Sequence, residues 1–148
     1  MANYAENRKA RFDYEILEKY EAGIELLGVE VKSVRGGRMS LEGSFIIVRG
    51  GEVYLINAHI PPYQPKNAPK DYDPLRNRKL LLTKKEIKEL AGNEKNKSLT
   101  IVPISVYNKG RKIKVEIAIV KGKKKHDKRE TIKKRETDRE IRREYKDH

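Results

Sequence analysis

Cysteine is absent from this 148-residue chain, and so is any long apolar run. Without cysteine there can be no disulfide, no thiolate zinc site and no cysteine nucleophile. No stretch approaches the roughly 18–20 apolar residues that a membrane-spanning helix needs. The basic amino terminus is not followed by the apolar segment of a secretory signal. The sequence therefore predicts a soluble, cytoplasmic protein with no membrane partner.

Patterns of catalytic and metal-binding residues are also scarce. The three histidines, His59, His126 and His148, are far apart and lack the spacing of metal ligands. No GxSxG motif, phosphate-binding lysine loop or dinucleotide fingerprint occurs. Asp71 and Asp73 could share a metal ion, but they lie in a proline-rich segment where turn formation is the simpler interpretation. We predict no catalytic residue, no metal site and no cofactor, and hence a protein that is not an enzyme.

Positive charge, by contrast, is abundant. The chain has 35 Lys and Arg against 22 Asp and Glu, a net charge of +13. Residues 1–120 contribute +7 of this charge and residues 121–148 contribute +6, so both parts are basic. Such an excess is typical of proteins that bind polyanions, because Lys and Arg release condensed counterions from phosphates. The plainer alternative is a well-solvated surface with many ion pairs.

The last 28 residues differ in composition from the rest. They hold 13 Lys and Arg and 7 Asp and Glu, and their only aliphatic side chains are Ile132 and Ile141. So little apolar surface cannot offset the entropy of ordering the segment on its own. Its mixed charges at helical spacing still allow a helix when a partner supplies an anionic surface. We predict a disordered or conditionally helical basic tail over residues 121–148 that folds on RNA.

Residues 1–120 carry the pattern of a folded domain that begins with a helix. Asn7 is a candidate cap for a helix to about Tyr20, whose apolar face includes Phe12 and Ile16. From Ala22 onward the apolar period changes from 3.6 to 2. The apolar positions are even-numbered up to Leu26 and odd-numbered from Val29, so the face that points inward switches near residues 27–28. This switch predicts a β-bulge between two strand segments.

Two hairpins and a second helix follow. FIIV (45–48) and VYLI (53–56) flank a two-glycine turn, and LTIVPISVY (99–107) and KIKVEIAIV (112–120) flank another turn. Residues 57–79 hold five of the six prolines and predict a long connection. Thr83 and Glu86 form a capping box for a short helix ending near Gly92. The fold class is mainly β, an OB-like β-barrel of about six strands with two short helices.

Three motifs resemble those of one known family. EAGIELLGVEVKSVRGG (21–37), DPLRNRKLLL (73–82) and KGKKKHDKR (121–129) occur in the same order as in the SmpB family, the SsrA (tmRNA)-binding proteins of bacterial ribosome rescue. The similarity covers nearly the whole chain. It implies an adaptor that binds the tRNA-like domain of tmRNA and enters the vacant A site of a stalled ribosome. Its implied partners are tmRNA, the ribosome and elongation factor Tu in the delivered complex, and the adaptor acts as a monomer.

The resemblance also assigns residues to tmRNA binding. It implies Glu21, Leu81, Leu82, Thr83 and Lys114 as contacts. Glu21 would accept hydrogen bonds from base amino groups or 2′-hydroxyls, and Lys114 would contact phosphate. From the residues alone, three plainer interpretations stay open: Glu21 as a helix-end carboxylate paired with Lys19, Leu81 in the core, and Lys114 as one solvated lysine.

A second set is implied in the tail, at the small-subunit decoding centre and empty mRNA channel. Gly122 would free the backbone at the junction, and His126 would stack on an rRNA base. The other implied contacts are Asp127, Lys128, Arg129, Lys133, Lys134, Arg135, Arg139, Ile141, Arg142, Arg143 and Tyr145. Two positions depart from the family: Asn108 and Thr137 stand where relatives often carry an aromatic residue.

Two other classes of protein share this composition. A structural ribosomal protein is also a small basic barrel with a tail in rRNA, and it would stay on ribosomes in high salt. An RNA-processing enzyme would need a catalytic constellation that the sequence does not present. The three motifs together favour the adaptor.

Overall fold

A computed structural model describes residues 3–64, 66 and 68–122. In these residues the chain forms a single seven-stranded antiparallel sheet and three helices, with the strand order β1-β6-β7-β2-β5-β4-β3. The elements in chain order are β1 (Asn3–Glu6), α1 (Arg8–Asp13), β2 (Tyr14–Ile24), α2 (Gly28–Arg35), β3 (Phe45–Arg49), β4 (Glu52–Ile56), β5 (Arg78–Leu81), α3 (Lys84–Glu94), β6 (Leu99–Lys109) and β7 (Lys112–Gly122).

The mainly β, OB-like architecture predicted from the sequence is confirmed. The sheet curls so that β3 packs against β6, yet these strands are not hydrogen-bonded neighbours and the barrel stays partly open. Both predicted hairpins form, as β3–β4 and β6–β7. The edge strand β1, which pairs with β6, was not anticipated. No helix among the described residues is long and apolar enough to cross a membrane.

The first predicted helix is too long. Asn7 does cap α1, since its Oδ1 accepts a hydrogen bond from the Ala10 amide at 3.1 Å. The helix ends at Asp13, however, and the next eleven residues form β2, which pairs along β7. A bulge at Leu17 explains the error, because the register shifts between Ile16 and Glu18. The bulge reverses which side chains face the core, so the apolar residues no longer alternate along the strand. Their spacing then resembles that of an amphipathic helix.

The second correction concerns the segment after β2. Instead of a bulge and a further strand, residues Gly28–Arg35 form α2. The carboxylate of Glu30, at the third helical position, accepts a hydrogen bond from the Leu27 amide at 2.8 Å. A glutamate at this position stabilises a helix start. The parity reversal near residue 28 therefore marks where the chain leaves the sheet.

The capping box of α3 is confirmed. Thr83 Oγ1 accepts a hydrogen bond from the Glu86 amide at 3.2 Å, and Glu86 Oε1 accepts one from the Thr83 amide at 3.0 Å. The helix continues past Gly92 to Glu94, slightly beyond the predicted end. Leu90 is fully buried, so α3 packs its apolar face into the main core.

The two faces of the sheet have different environments. The inner face of all the central strands contributes to the main core, with Ala22, Leu80 and Val115 fully or nearly fully buried. The outer face is covered at one end by α1, where Ala10 packs on a second cluster formed by Val102, Ile104, Ala118 and Val120. At the other end, near the β6–β7 turn, the outer face carries polar and charged side chains.

A buried ion cluster fixes the long connection between β4 and β5. Glu30 and Arg78 are both completely buried, and Arg78 Nε donates to Glu30 Oε2 at 2.8 Å. Arg76 Nη2 donates to Glu30 Oε1 at 2.6 Å. Arg78 also donates to the backbone carbonyls of Ala58 and Pro74, at 2.7 and 3.0 Å. Residues of the connection are thereby joined to α2, and the start of β5 is held in place.

Candidate RNA-binding face

Three strands bring three of the five predicted tmRNA contacts, Glu21, Leu81 and Lys114, together on the open end of the outer face. Gly23 of β2 pairs with Leu81 of β5 on one side and with Lys114 of β7 on the other. Lys114 pairs in turn with Tyr107 of β6. Directly paired residues point to the same face of a sheet. Glu21, two residues before Gly23, shares this face.

Leu81 is exposed, with 48% of its surface accessible, although it stands in a run of three leucines. The core alternative for Leu81 is therefore wrong. Leu80 takes the buried position, while Leu82 packs partly on the core and Thr83 caps α3. Gly23 permits this arrangement, because a Cβ at that position would lie 3.3 Å from the Leu81 Cβ.

Glu21 is held by two side chains from the neighbouring hairpin. The Tyr107 hydroxyl donates to its Oε2, and Lys109 Nζ lies 3.0 Å from its Oε1. Hydrogen bonds from Tyr107 and Lys109 keep the pKa of Glu21 below its usual value, and the bond from Tyr107 has the larger effect. Lys19, the nearby lysine considered as its partner, instead lies 3.9 Å from Glu116. Glu21 thus presents an ionised carboxylate in a fixed position.

A cleft of about 360 Å³ opens beside Gly23, between Leu81 and Lys114. Arg35 of α2 joins its rim, and Arg35 Nη2 donates to the Arg111 carbonyl at 3.0 Å. Lys112 adds another positive charge, and aliphatic side chains complete the lining without any carboxylate. A basic rim around an aliphatic surface suits an RNA segment, since phosphates meet the cations and an unpaired base meets the apolar part.

The carboxyl-terminal junction lies far from this face. Gly122 is the last residue of β7 and pairs with Tyr14. It is eight residues from Lys114 along the same strand, or roughly 27 Å at a strand rise of about 3.4 Å per residue. The other predicted ribosome contacts lie outside the described residues: His126, Asp127, Lys128, Arg129, Lys133, Lys134, Arg135, Arg139, Ile141, Arg142, Arg143 and Tyr145.

Asp71 and Asp73, the two aspartates considered as metal ligands, lie in the connection between β4 and β5. No group of three or more potential ligands in the part of the chain that the structure describes could hold a metal ion. Asp73 accepts a hydrogen bond from the Leu75 amide at 2.9 Å. This contact is that of a turn-forming aspartate.

Comparison with known proteins decides the family. The family model described as "SmpB protein" matches residues 4–147. The chain belongs to the SmpB family. An SsrA-binding protein of Ligilactobacillus salivarius is 56% identical over 144 residues, which cover 97% of this chain and 92% of that protein. One of Gloeothece citriformis is 52% identical over 141 residues, covering 95% and 91%.

A solved structure gives the same result in three dimensions. The protein's structure is similar to a solved chain described as "tmRNA-SmpB: a journey to the center of the bacterial ribosome". The TM-score is 0.68 and the sequence identity is 47%. The match covers 86% of this chain and 92% of that chain. The resemblance inferred from three sequence motifs is thus confirmed.

Several residues of the candidate face were missed from sequence. Arg35, Tyr107, Lys109 and Arg111 were not predicted as site residues, although the basic turn after Tyr107 was a visible signal. Within the motif DPLRNRKLLL only Leu81 and Leu82 were predicted to contact RNA, and Arg76 and Arg78 bind Glu30. Of the two predicted contacts in this motif, Leu81 lies on the candidate face and Leu82 packs against the core.

Proposed function

We propose that this protein is a tmRNA-binding adaptor of trans-translation, which brings tmRNA to the A site of stalled ribosomes. The carrying observation is the convergence of Glu21, Leu81 and Lys114 on one open sheet face in a chain of the SmpB family. The relatives' name, SsrA-binding protein, and the tmRNA–SmpB structure similar to this chain support the assignment.

Each group of the face would have a separate task in this complex. Lys114 and the arginines of the cleft would neutralise phosphates and supply a salt-dependent share of the affinity. Leu81 would pack against an unpaired base. Glu21 would accept hydrogen bonds from a base amino group or a 2′-hydroxyl, the group that distinguishes RNA from DNA.

The tail has the second task in this proposal. The predicted tail begins at residue 121, but Lys121 and Gly122 belong to β7. Residues 123–148 would enter the decoding centre and the empty mRNA channel, with His126 stacked on an rRNA base and the tail's lysines and arginines facing rRNA. A helix of this composition is marginal in water, so the ribosome would supply the ordering surface. The protein would act as a cytoplasmic monomer, in a complex that includes elongation factor Tu, and would catalyse no reaction itself.

Ending the chain after Gly122 separates the two tasks, because β7 is complete at that residue. The shortened protein should bind the tRNA-like domain of tmRNA nearly as tightly as the full chain, but should fail to support peptide tagging on stalled ribosomes. Tagging at the full-chain level would overturn the role of the tail. Failure of the full chain to retain tmRNA during purification would overturn the proposed function itself.

A structural ribosomal protein gives a different result in the same preparation. Such a protein would stay on ribosomes washed in high salt and would not require tmRNA for association. The adaptor should leave the ribosome in high salt, and its association should depend on tmRNA and a vacant A site.

A further inference from the structure

We propose that the outer face beyond Leu81, centred on Tyr54 of β4, is a second contact patch for the same RNA, one on which an unpaired base stacks. This inference rests on the proposed function and extends its binding site. The patch consists of Tyr54, Lys79, Glu52 and Ile47, and is called the Tyr54 patch below.

The sheet register makes the Tyr54 patch continuous with the candidate RNA-binding face. Tyr54 pairs directly with Lys79 of β5, which is two residues from Leu81 and points to the same side. The Glu25 amide donates to the Lys79 carbonyl at 3.0 Å, so the chain just past β2 borders the patch. With strands about 4.8 Å apart, roughly 15 Å separate β7 from β4 across the sheet. An RNA that covers Lys114 and Leu81 therefore has Tyr54 within reach.

The chemistry of the Tyr54 patch suits a base. Tyr54 is half-buried on a solvent-facing sheet surface, and its register partner on β3 is Ile47, also half-buried. On the same face of β4, Ile56 pairs with Phe45, which is exposed. Aromatic side chains on a sheet are stacking platforms for unpaired bases, with aliphatic neighbours that extend the apolar area.

The polar groups repeat those around Glu21. The Tyr54 hydroxyl donates to Glu52 Oε2, and Lys79 Nζ lies 3.0 Å from Glu52 Oε1. Tyr107, Lys109 and Glu21 make the same set of contacts on the other side of Leu81. In both places a tyrosine and a lysine orient one ionised carboxylate, for which a 2′-hydroxyl or base amino group is a suitable donor. The two constellations flank Leu81 on one continuous surface.

RNA is favoured over a protein partner because the Tyr54 patch adjoins a cleft with a wholly basic rim. A protein that covered the patch would have to meet four cations beside it, namely Arg35, Arg111, Lys112 and Lys114. An RNA can place its phosphates on the cleft and an unpaired base on the Tyr54 patch, where Lys79 is already paired with Glu52.

The test measures binding of the isolated tRNA-like domain of tmRNA to full-length variants. Tyr54→Ala should weaken binding about 5- to 100-fold, the range expected for loss of one base–aromatic stack. Tyr54→Phe keeps the ring and should stay within about twofold of the wild type. Tyr63→Ala is the matched control, since Tyr63 is exposed but belongs to no strand, and its amide donates to the Val29 carbonyl of α2. It should bind within about twofold of the wild type.

If Tyr54→Ala binds as tightly as the wild type while Lys114→Ala binds weakly, the Tyr54 patch is not an RNA contact. The proposed function would remain intact. No binding by the wild type would instead overturn the proposed function. Ultraviolet cross-linking of the wild-type complex covers the case in which Tyr54→Ala fails to fold. A cross-link in the peptide that contains Tyr54 supports the patch, and cross-links confined to other peptides contradict it.

Discussion

Glu21 and Glu30 lie nine positions apart in one motif, and their surroundings show how one residue type serves two purposes. Both carboxylates contact a tyrosine hydroxyl and at least one cationic side chain. Glu30 is completely buried, and Arg76 and Arg78 are its cations. Glu21 lies on the exposed sheet face, with Lys109 as its cation.

Burial decides what each carboxylate can do. Burial alone would raise the pKa of Glu30, but hydrogen bonds from Arg76, the Leu27 amide and Arg78 bring it below its usual value. All of these partners belong to the protein, so Glu30 has no surface left for a ligand. Glu21 stays accessible and keeps acceptor capacity for RNA. Glu30 maintains the structure, and we propose that Glu21 recognises the RNA.

Replacing Glu30 should have the largest effect on stability. Glu30→Gln leaves Arg78 buried without a counter-charge, which should lower the free energy of unfolding by about 3–5 kcal/mol. Urea denaturation measures this loss. Glu21→Gln is the matched control and should leave the unfolding midpoint near that of the wild type. Equal unfolding midpoints for the two variants would contradict the conclusion that Glu30, and not Glu21, stabilises the fold.

The lowered pKa of Glu30 makes the stability of the protein depend on pH. The pKa of Glu30 is lower in the folded than in the unfolded protein, where a glutamate titrates near about 4.3. Its contribution is therefore complete above that pH and is lost as the pH falls through the folded-state pKa. The wild type should lose stability more steeply in acid than Glu30→Gln. Parallel curves of unfolding free energy against pH would exclude this linkage.

Removing a charge from the exposed face should affect binding and not folding. Lys114→Ala should weaken binding of the tRNA-like domain and lower the slope of log affinity against log salt by about one unit, because one phosphate contact is lost. Lys121→Ala is the control, since Lys121 is exposed on the same strand but at its far end. An unchanged slope for Lys114→Ala, or an equal change for Lys121→Ala, would contradict the position of the site.

The smallest expected effect concerns the orientation of Glu21. Tyr107→Phe removes the hydroxyl that donates to Glu21, so the pKa of Glu21 should rise towards its usual value. If binding needs the ionised carboxylate, the acid limb of the affinity profile should move to higher pH. Tyr20→Phe, which loses a hydrogen bond to Glu89 away from this face, should keep the wild-type profile. Profiles that coincide for Tyr107→Phe and the wild type would show that Tyr107 does not position Glu21.

The sequence predicted those parts of the molecule that depend on local chemistry. Both hairpins and the Thr83 cap follow from residues close together in the chain, and each is confirmed. The resemblance to the SmpB family assigned both Leu81 and Lys114 to tmRNA binding, and the register places both beside Gly23. Exposure of Leu81 could not be read from three adjacent leucines, because it depends on the pairing of β5.

Errors arose where distant residues decide the structure. The bulge at Leu17 makes a strand resemble a helix, and only pairing with β7 reveals the strand. Glu30 is 46 and 48 positions from its arginines, and Glu21 is 86 positions from Tyr107. No local pattern encodes such contacts. The resemblance assigned Glu21 to RNA contact, but nothing in the sequence predicted the buried role of Glu30.

Hydroxyl-radical footprinting of the full chain, with and without the tRNA-like domain of tmRNA, tests the RNA-binding face most directly. Leu81 and Leu17 have nearly equal exposed fractions, 48% and 50%, but Leu17 is the bulge residue of β2 and precedes Gly23, the register partner of Leu81, by six positions. We expect RNA to protect Leu81 from oxidation and to leave Leu17 as reactive as in the free protein. Protection of Leu17 with unchanged oxidation of Leu81 would contradict the proposed face.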